Sequence, residues 1–312
     1  MIVALAGGVG GGKLADGLAS ILGGRLTVIV NTADDFEHLG LPISPDLDTV
    51  MYTLGGIANA EAGWGVAHET WGFLDQIARL GGPTWFRLGD RDLATHVLRA
   101  TALRAGASLT EITDQLCQRL GIAARILPMS DQAVRTIVHS LEGDLPFQEY
   151  FVARKCEVPV TGFTFEGIAK SRPTAAVKDA LEATDLEAIV LCPSNPFVSI
   201  DPIVSVPGMR QLFIDAGVPV IAVSPIIGGA AVKGPAAKMM RELSFEPSPA
   251  TVAAHYRSLV TGLVIDTTDA PLAPTIEAMG ITVHATETLM KDKSDRKRLA
   301  EECVAFARSL TH

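Results

Sequence analysis

A chain of 312 residues, 48% of them hydrophobic, with a mean hydropathy of +0.29, can bury a sizeable core in one large α/β domain or two unequal ones. Its net charge of -9 and lack of basic runs argue against a nucleic-acid partner, and no apolar stretch reaches the ~18 residues that span a bilayer. The chain opens on an apolar strand pattern without a basic leader, and Cys117, Cys156, Cys192 and Cys303 share no Cys-x-x-Cys spacing, so a cytoplasmic protein with buried thiols is expected.

In chain order, apolar runs rich in Val, Ile and Leu alternate with helical patterns, which predicts βα units around a parallel, doubly wound, Rossmann-like sheet. The strands are predicted at 2–6, 26–30, 188–192, 218–223 and 263–265, with a weaker one at 281–284. Helical patterns at 69–80 and 93–105 carry no buried strand between them, and shorter β-type stretches follow at 135–139 and 158–165. The expected division is therefore a nucleotide-binding core of 1–66 and 168–312, and a mainly helical insert of 67–167 with a small β segment. The mixed-charge stretch 294–310 reads as a closing helix.

Ligands of open α/β sheets bind at the C-terminal strand ends, so the loops there carry the functional reading. The first is Gly7-Gly8-Val9-Gly10-Gly11-Gly12-Lys13, between the first strand and a helix. Glycines let a backbone approach phosphate, and helix-start N–H groups bind anions. A Walker A motif is disfavoured because Leu14 stands where Ser or Thr should bind magnesium. Gly10-x-Gly12-x-x-Ala15 also fits a dinucleotide fingerprint, but the second strand ends in Asn31 rather than an acid, which weakens a nicotinamide oxidoreductase.

The second loop concentrates Asp34, Asp35, Asp46 and Asp48 just past a core strand. Carboxylates next to phosphates point to Mg2+ between them, whereas any one aspartate alone could equally cap a helix or sit in solvent. Two later loops, Pro193-Ser194-Asn195-Pro196 and Gly228-Gly229-Ala230-Ala231-Val232-Lys233-Gly234-Pro235, read as further phosphate and nucleotide elements or as structural turns. His38, His68 and His96 follow no metal spacing; His38, next to the acidic loop, is a candidate proton acceptor.

Together with Gly40-Leu41-x-Ile43-Ser44-Pro45-Asp46-x-Asp48-Thr49-Val50-x-Tyr52-x-Leu54, Trp85-Phe86-x-Leu88-Gly89-Asp90-Arg91-Asp92-Leu93-Ala94 and Ser194-Asn195-Pro196-x-x-Ser199-Ile200, these loops resemble the 2-phospho-L-lactate transferases of coenzyme F-420 biosynthesis. The resemblance runs nearly end to end. It implies transfer of a phospho-acid, lactyl or enolpyruvyl, from its guanosine diphosphate carrier to the deazaflavin alcohol Fo, with GMP leaving. On this resemblance Asp35 and Asp46 are the catalytic metal-holding carboxylates, with Asp34 or Asp48 assisting. Gly8, Gly10, Gly11, Lys13, Gly228, Gly229 and Lys233 would cradle phosphates, with Asn31, Ser194 and Asn195 on the nucleotide side. Trp85, Leu88, Asp90 and Asp92 would receive the deazaflavin; a core strand with a helix cap at Asp90 is the plainer reading of that stretch. A homodimer through the insert is expected. The alternatives are a nucleotide-sugar-binding regulatory relative of the same fold and, less favoured, a nicotinamide oxidoreductase.

Overall fold

Strands β1 (Ile2–Ala6) and β2 (Leu26–Val30) bury every residue, which requires a sheet covered on both faces. A computed structural model, which describes residues 1–310, provides that cover. Between the two strands runs α1 (Gly8–Leu22). After β2 come the short hairpin β3 (Phe36–His38) and β4 (Leu41–Ile43), then α2 (Pro45–Leu54). Pro45 opens α2 and Asp46 and Asp48 stand in its first turn, where carboxylates complement the helix dipole.

The helices α3 (Gly72–Arg79), α4 (Asp90–Arg104) and α5 (Leu109–Arg119) follow, the last started by a capping box between Ser108 and Glu111. Strand β5 (Arg125–Pro128) then pairs in parallel with β2. The stretch 67–167, expected to lie wholly outside the core, is thus divided: its helices stand outside, but β5 is an edge strand of the main sheet. Strands β6 (Arg135–Ser140), β7 (Leu145–Pro146) and β8 (Val160–Glu166) form a separate antiparallel layer in the order β7-β6-β8.

The chain re-enters the core through α6 (Ala175–Leu181), β9 (Ala188–Leu191), α7 (Asp201–Ser205), α8 (Met209–Ala216) and β10 (Val220–Val223). The hairpin β11 (Ile226–Ile227) and β12 (Ala230–Ala231) leads into α9 (Ala236–Glu242) and α10 (Pro249–Tyr256). The chain closes with β13 (Gly262–Asp266), α11 (Ala273–Glu277), β14 (Thr282–Thr286) and α12 (Lys293–Ser309).

The main sheet has seven strands in the order β14-β13-β10-β9-β1-β2-β5, and each neighbouring pair is parallel. It is a Rossmann-like α/β fold. Alternate side chains serve two cores, with Val3, Leu5 and Ile29 on one face and Ile2, Ala4, Ala6 and Val28 on the other. Chain order reverses at β1, whose neighbours are β2 on one side and β9 on the other. Loops leaving β1 and β9 therefore part and leave a crevice at their C-terminal ends, the usual ligand position in such sheets. Among the described residues no helix is long and apolar enough to cross a membrane.

Helix α1 is held against the sheet by α12 at very close range: a Cβ on Gly17 would lie 2.1 Å from the carbonyl oxygen of Arg296. The obstacle is backbone and cannot swing aside. Gly17→Ala should therefore destabilise the protein by about 1–3 kcal/mol through overpacking, despite alanine's better helix propensity. Urea unfolding checks this; an equally or more stable variant would show that the two helices are free to part.

Candidate functional site

The crevice opens into a cleft of about 570 Å³, within the usual range for small-molecule sites. Its floor is the glycine loop. A Cβ on Gly7 would lie 2.6 Å from Asp46 Oδ2 and 2.7 Å from Ser199 Cβ; on Gly10, 2.5 Å from the Pro193 carbonyl; on Gly11, 2.5 Å from Ser194 Oγ. The run is glycine because the start of α1 is pressed against the loop after β9. The Gly7 amide donates to Ser194 Oγ at 3.0 Å and that hydroxyl donates back to the Gly7 carbonyl at 2.8 Å. The first turn of α1 contains no acidic side chain, so its N-terminal dipole faces the cleft unneutralised by its own residues.

The acidic loop sends its carboxylates in different directions. Asp34 and Asp46 line the cleft, and each is almost wholly buried. Asp46 accepts from the Gly8 amide at 2.7 Å and from Asn31 Nδ2 at 3.0 Å, while Asp34 accepts from Thr136 Oγ1 at 3.1 Å. Burial pushes Asp46 up to about 6, and burial together with the Asp46 charge pushes Asp34 well above the usual carboxylate range. Asn31, expected on the nucleotide, lies outside the cleft and spends its amide on Asp46 and the Val198 carbonyl.

Asp35 does not join this pair. It faces a separate hollow of about 130 Å³ with Thr32, Arg99 and Arg135, and its Oδ2 accepts from Ser44 Oγ at 2.7 Å. Burial raises it to about 7. The expected metal-holding role of Asp35 is thus at odds with its direction, because adjacent residues in the turn after β2 point to opposite sides. Asp48 lines the cleft but is bound by both terminal nitrogens of the fully buried Arg99, which also donates to His96 Nδ1 at 3.2 Å. His96 Nε2 lies 3.2 Å from Asp92 Oδ1, and the Tyr52 hydroxyl donates to that same oxygen at 2.7 Å. Asp48, His96, Asp92 and Tyr52 thus form one polar wall whose positions Arg99 fixes from behind.

The aromatic side is built around Trp85, which packs with Phe36, His38 and Phe86 at centroid distances of 5.9, 5.2 and 5.8 Å. His38 is buried in this cluster and does not line the cleft, so it is not placed to take a proton there. Leu88 is fully buried in the packing and Asp90 faces away. Asp90 instead accepts from Thr70 Oγ1 and the amides of Gly72 and Phe73, capping α3. Glu69 returns the favour by accepting from the amides of Arg91 and Asp92 at the start of α4. The plainer reading of Asp90 as a cap is the observed one, though the helix it caps is α3. Phe147, Gln148 and Phe151, from the connection between β7 and β8, complete the aromatic wall and were not anticipated.

Of the later loops, Lys233 lines the cleft, but Gly228 and Gly229 do not. With φ of 56° and 77° they make the tight turn of the β11–β12 hairpin, and the Gly228 amide is taken by Asp269 Oδ2 at 3.0 Å. Asn195 lines the cleft but uses Oδ1 to cap the Phe197 amide and Nδ2 on Met239 Sδ. Lys13 donates to the Met290 carbonyl at 2.7 Å; burial, then Arg296 and Lys233, lower its pKa. Gly8 and Gly10 face the cleft, whereas Gly11 only packs.

Among the described residues no group of three or more His, Cys, Asp or Glu is assembled to hold a metal unaided. Two buried carboxylates side by side do suit a cation whose remaining ligands are substrate phosphates and water, the usual manner of magnesium.

Two outcomes follow from the buried charges. Arg99→Met leaves Asp48 without its partner and should cost about 3–5 kcal/mol in urea unfolding, of which Asp48→Asn in the same chain should recover part. Asp35 binds a proton more tightly folded than unfolded, so without added metal its own contribution to stability is fully present below about pH 4 and is lost as pH rises through about 7. Thermal melts of Asp35→Asn should show a flatter decline over that window; an unchanged slope would mean the carboxyl is not buried as described.

The family model described as 2-phospho-L-lactate transferase CofD matches residues 2–306. A phosphoenolpyruvate transferase of Streptomyces coelicolor is 42% identical, over 98% of this chain and 98% of its own length. A 2-phospho-L-lactate transferase of Methanosarcina mazei is 40% identical, over 96% of this chain and 98% of its own. A crystal structure of a UPF0052-family protein from Bacillus halodurans superposes with a TM-score of 0.62 over 97% of this chain and 98% of that one. At 13% identity that likeness bears on the fold alone. With the family model matched over residues 2–306 and both relatives at 40% identity or more over nearly its whole length, the chain belongs to the 2-phospho-L-lactate transferase family.

Proposed function

We propose that the protein transfers a phospho-acid, 2-phospho-L-lactyl or enolpyruvyl phosphate, from its guanosine diphosphate carrier to the terminal hydroxyl of the deazaflavin Fo, releasing GMP. The hydroxyl oxygen forms a bond to the phosphorus that bears the acid. The bond from that phosphorus to the GMP phosphate oxygen breaks, GMP leaves with the electron pair, and the hydroxyl proton passes to solvent.

The observation that carries this reading is a single cleft in which the start of α1 and the Asp34–Asp46 pair lie beside an aromatic wall. The α1 amides and the ammonium groups of Lys13 and Lys233 hold the diphosphate. Trp85, Phe86, Phe147 and Phe151 stack against the acceptor ring, and the wall of Tyr52, Asp92 and His96 receives its hydroxyl chain. Holding both reactants in line is the larger part of the catalysis expected of such a site. Asp34 and Asp46 would hold magnesium, which would supply charge neutralisation for the diphosphate. Asn31 and the Gly8 amide keep the Asp46 carboxylate turned toward that position.

A transfer assay with Fo and each guanosine diphosphate donor, followed by product mass, tests the reading. Fo should gain one phospho-acid, with one GMP per product; no product with any donor would defeat it. Activity should disappear with chelator and return with magnesium. Asp46→Asn should lower turnover roughly 10²-fold or more while the protein stays folded. Asp35→Asn should lower it far less.

A further inference from the structure

Next to the cleft but outside it, the hollow of about 130 Å³ lies where β2 and β5, neighbours in the sheet, reach their C-terminal ends. It is walled by the turn after β2, strand β4, helix α4, the start of α5 and the link from β5 to β6. Only Ile43 lines both spaces. Three buried polar atoms of its lining residues find no hydrogen-bond partner among the described residues: Thr32 Oγ1, Asp35 Oδ1 and Arg99 Nε. These residues are 3%, 8% and 2% exposed. Native proteins leave few such atoms unpaired because each forfeits its hydration, so three around one small space call for a polar occupant.

The far sides of these groups are already fixed. Asp35 Oδ2 accepts from Ser44 Oγ at 2.7 Å, and both terminal nitrogens of Arg99 are bound to Asp48. What remains defines the occupant. Arg99 Nε can only donate, the Asp35 carboxylate oxygen can only accept, and the Thr32 hydroxyl can do either. Arg135, with Nη1 on the Val134 carbonyl at 2.7 Å, brings a second guanidinium to the lining. Asp131 Oδ1 is taken by the amide and hydroxyl of Thr110, and Gln132 Oε1 by Ser130 Oγ and the Arg172 amide. A simple cation would be repelled by the two guanidinium groups, and an anion without a proton to give would leave Asp35 Oδ1 facing negative charge. Much of the remaining wall is hydrocarbon, from Phe36, Pro42, Ile43, Leu103 and Leu109.

We propose that this hollow is a second ligand site, separate from the cleft, for a short-chain hydroxycarboxylate. The carboxylate accepts from Arg99 Nε and from Arg135, the hydroxyl donates to Asp35 Oδ1, and Thr32 Oγ1 completes the set. The short chain lies against the hydrocarbon wall. At about 130 Å³ the space is well below that of ordinary drug-sized sites, which limits the ligand to a few carbons. Arg99 joins the two sites, because the guanidinium whose Nε faces the hollow also holds Asp48 and His96 in the cleft wall. The assignment stands or falls without the transferase reading.

Ligand-observed NMR titrations of the full chain test this with 2-hydroxybutyrate, butyrate, which lacks the hydroxyl, 1,2-butanediol, which lacks the carboxylate, and inorganic phosphate. The first should bind saturably, and the next two roughly tenfold more weakly or worse. Arg135 is partly exposed, so Arg135→Gln should melt like the parent protein while losing 2-hydroxybutyrate roughly tenfold. Lys233→Gln, which alters only the cleft, should bind it as the parent does. Absence of saturable binding would mean that the hollow holds water alone and would overturn the site. Butyrate binding as well as 2-hydroxybutyrate, or phosphate binding more tightly in an Arg135-dependent way, would overturn the ligand class. Loss in Lys233→Gln with none in Arg135→Gln would put the acid in the cleft and defeat the proposal.

Discussion

The site depends on how closely the start of α1 is packed against its surroundings. Gly7 sits where any side chain would collide with Asp46 and Ser199, and its amide and carbonyl are both engaged by Ser194 Oγ. That contact joins three elements distant in sequence: the loop after β1, the first turn of α2 and the loop after β9. The start of α1, the Asp46 carboxylate and the crevice between β1 and β9 are positioned by the same few ångströms. A substitution at Gly7 or Gly10 would move all of them together.

Charge is distributed around that contact with an energetic logic. Asp34 and Asp46 are both buried; desolvation opposes the ionisation of each in the free protein, and the Asp46 charge further opposes that of Asp34. A bound cation would relieve both terms, so the free site stores a preference for positive charge. Asp48, two residues on, is satisfied internally by Arg99 and adds no comparable demand. Lys13 and Lys233 line the same cleft, and the Lys233 charge helps to lower the Lys13 pKa.

Much of this was legible in the sequence, and the failures have local causes. Strands buried on both faces announce themselves as unbroken apolar runs, which is why β1, β2, β9, β10 and β13 were foreseen. Strand β5 was missed because two of its four residues are Arg and Pro, acceptable only because it is an edge strand. The acidic loop was recognised as a group, but its directions were not readable: Asp34 and Asp35 are neighbours that face different hollows. Asp90 and Asp92 look alike in sequence, yet one caps α3 and the other meets Tyr52 in the cleft. Phe147, Gln148 and Phe151 reach the site only through the tertiary placement of the small β layer, which no local pattern records.

The exchange of caps between Asp90 and Glu69 has an evolutionary consequence. Each acid stands next to one helix and secures the start of the other, so the chain is pinned where it enters α3 and again where it enters α4. The stretch between, ending in the exposed Leu80 and the Trp85–Phe86 pair, is a closed loop with fixed ends. Such a loop can lengthen at slight entropic expense, about 0.6 kcal/mol per doubling when flexible. Descendants of this fold could therefore recut their aromatic wall by insertion or deletion within that cassette, leaving the glycine loop and the buried carboxylates where they are.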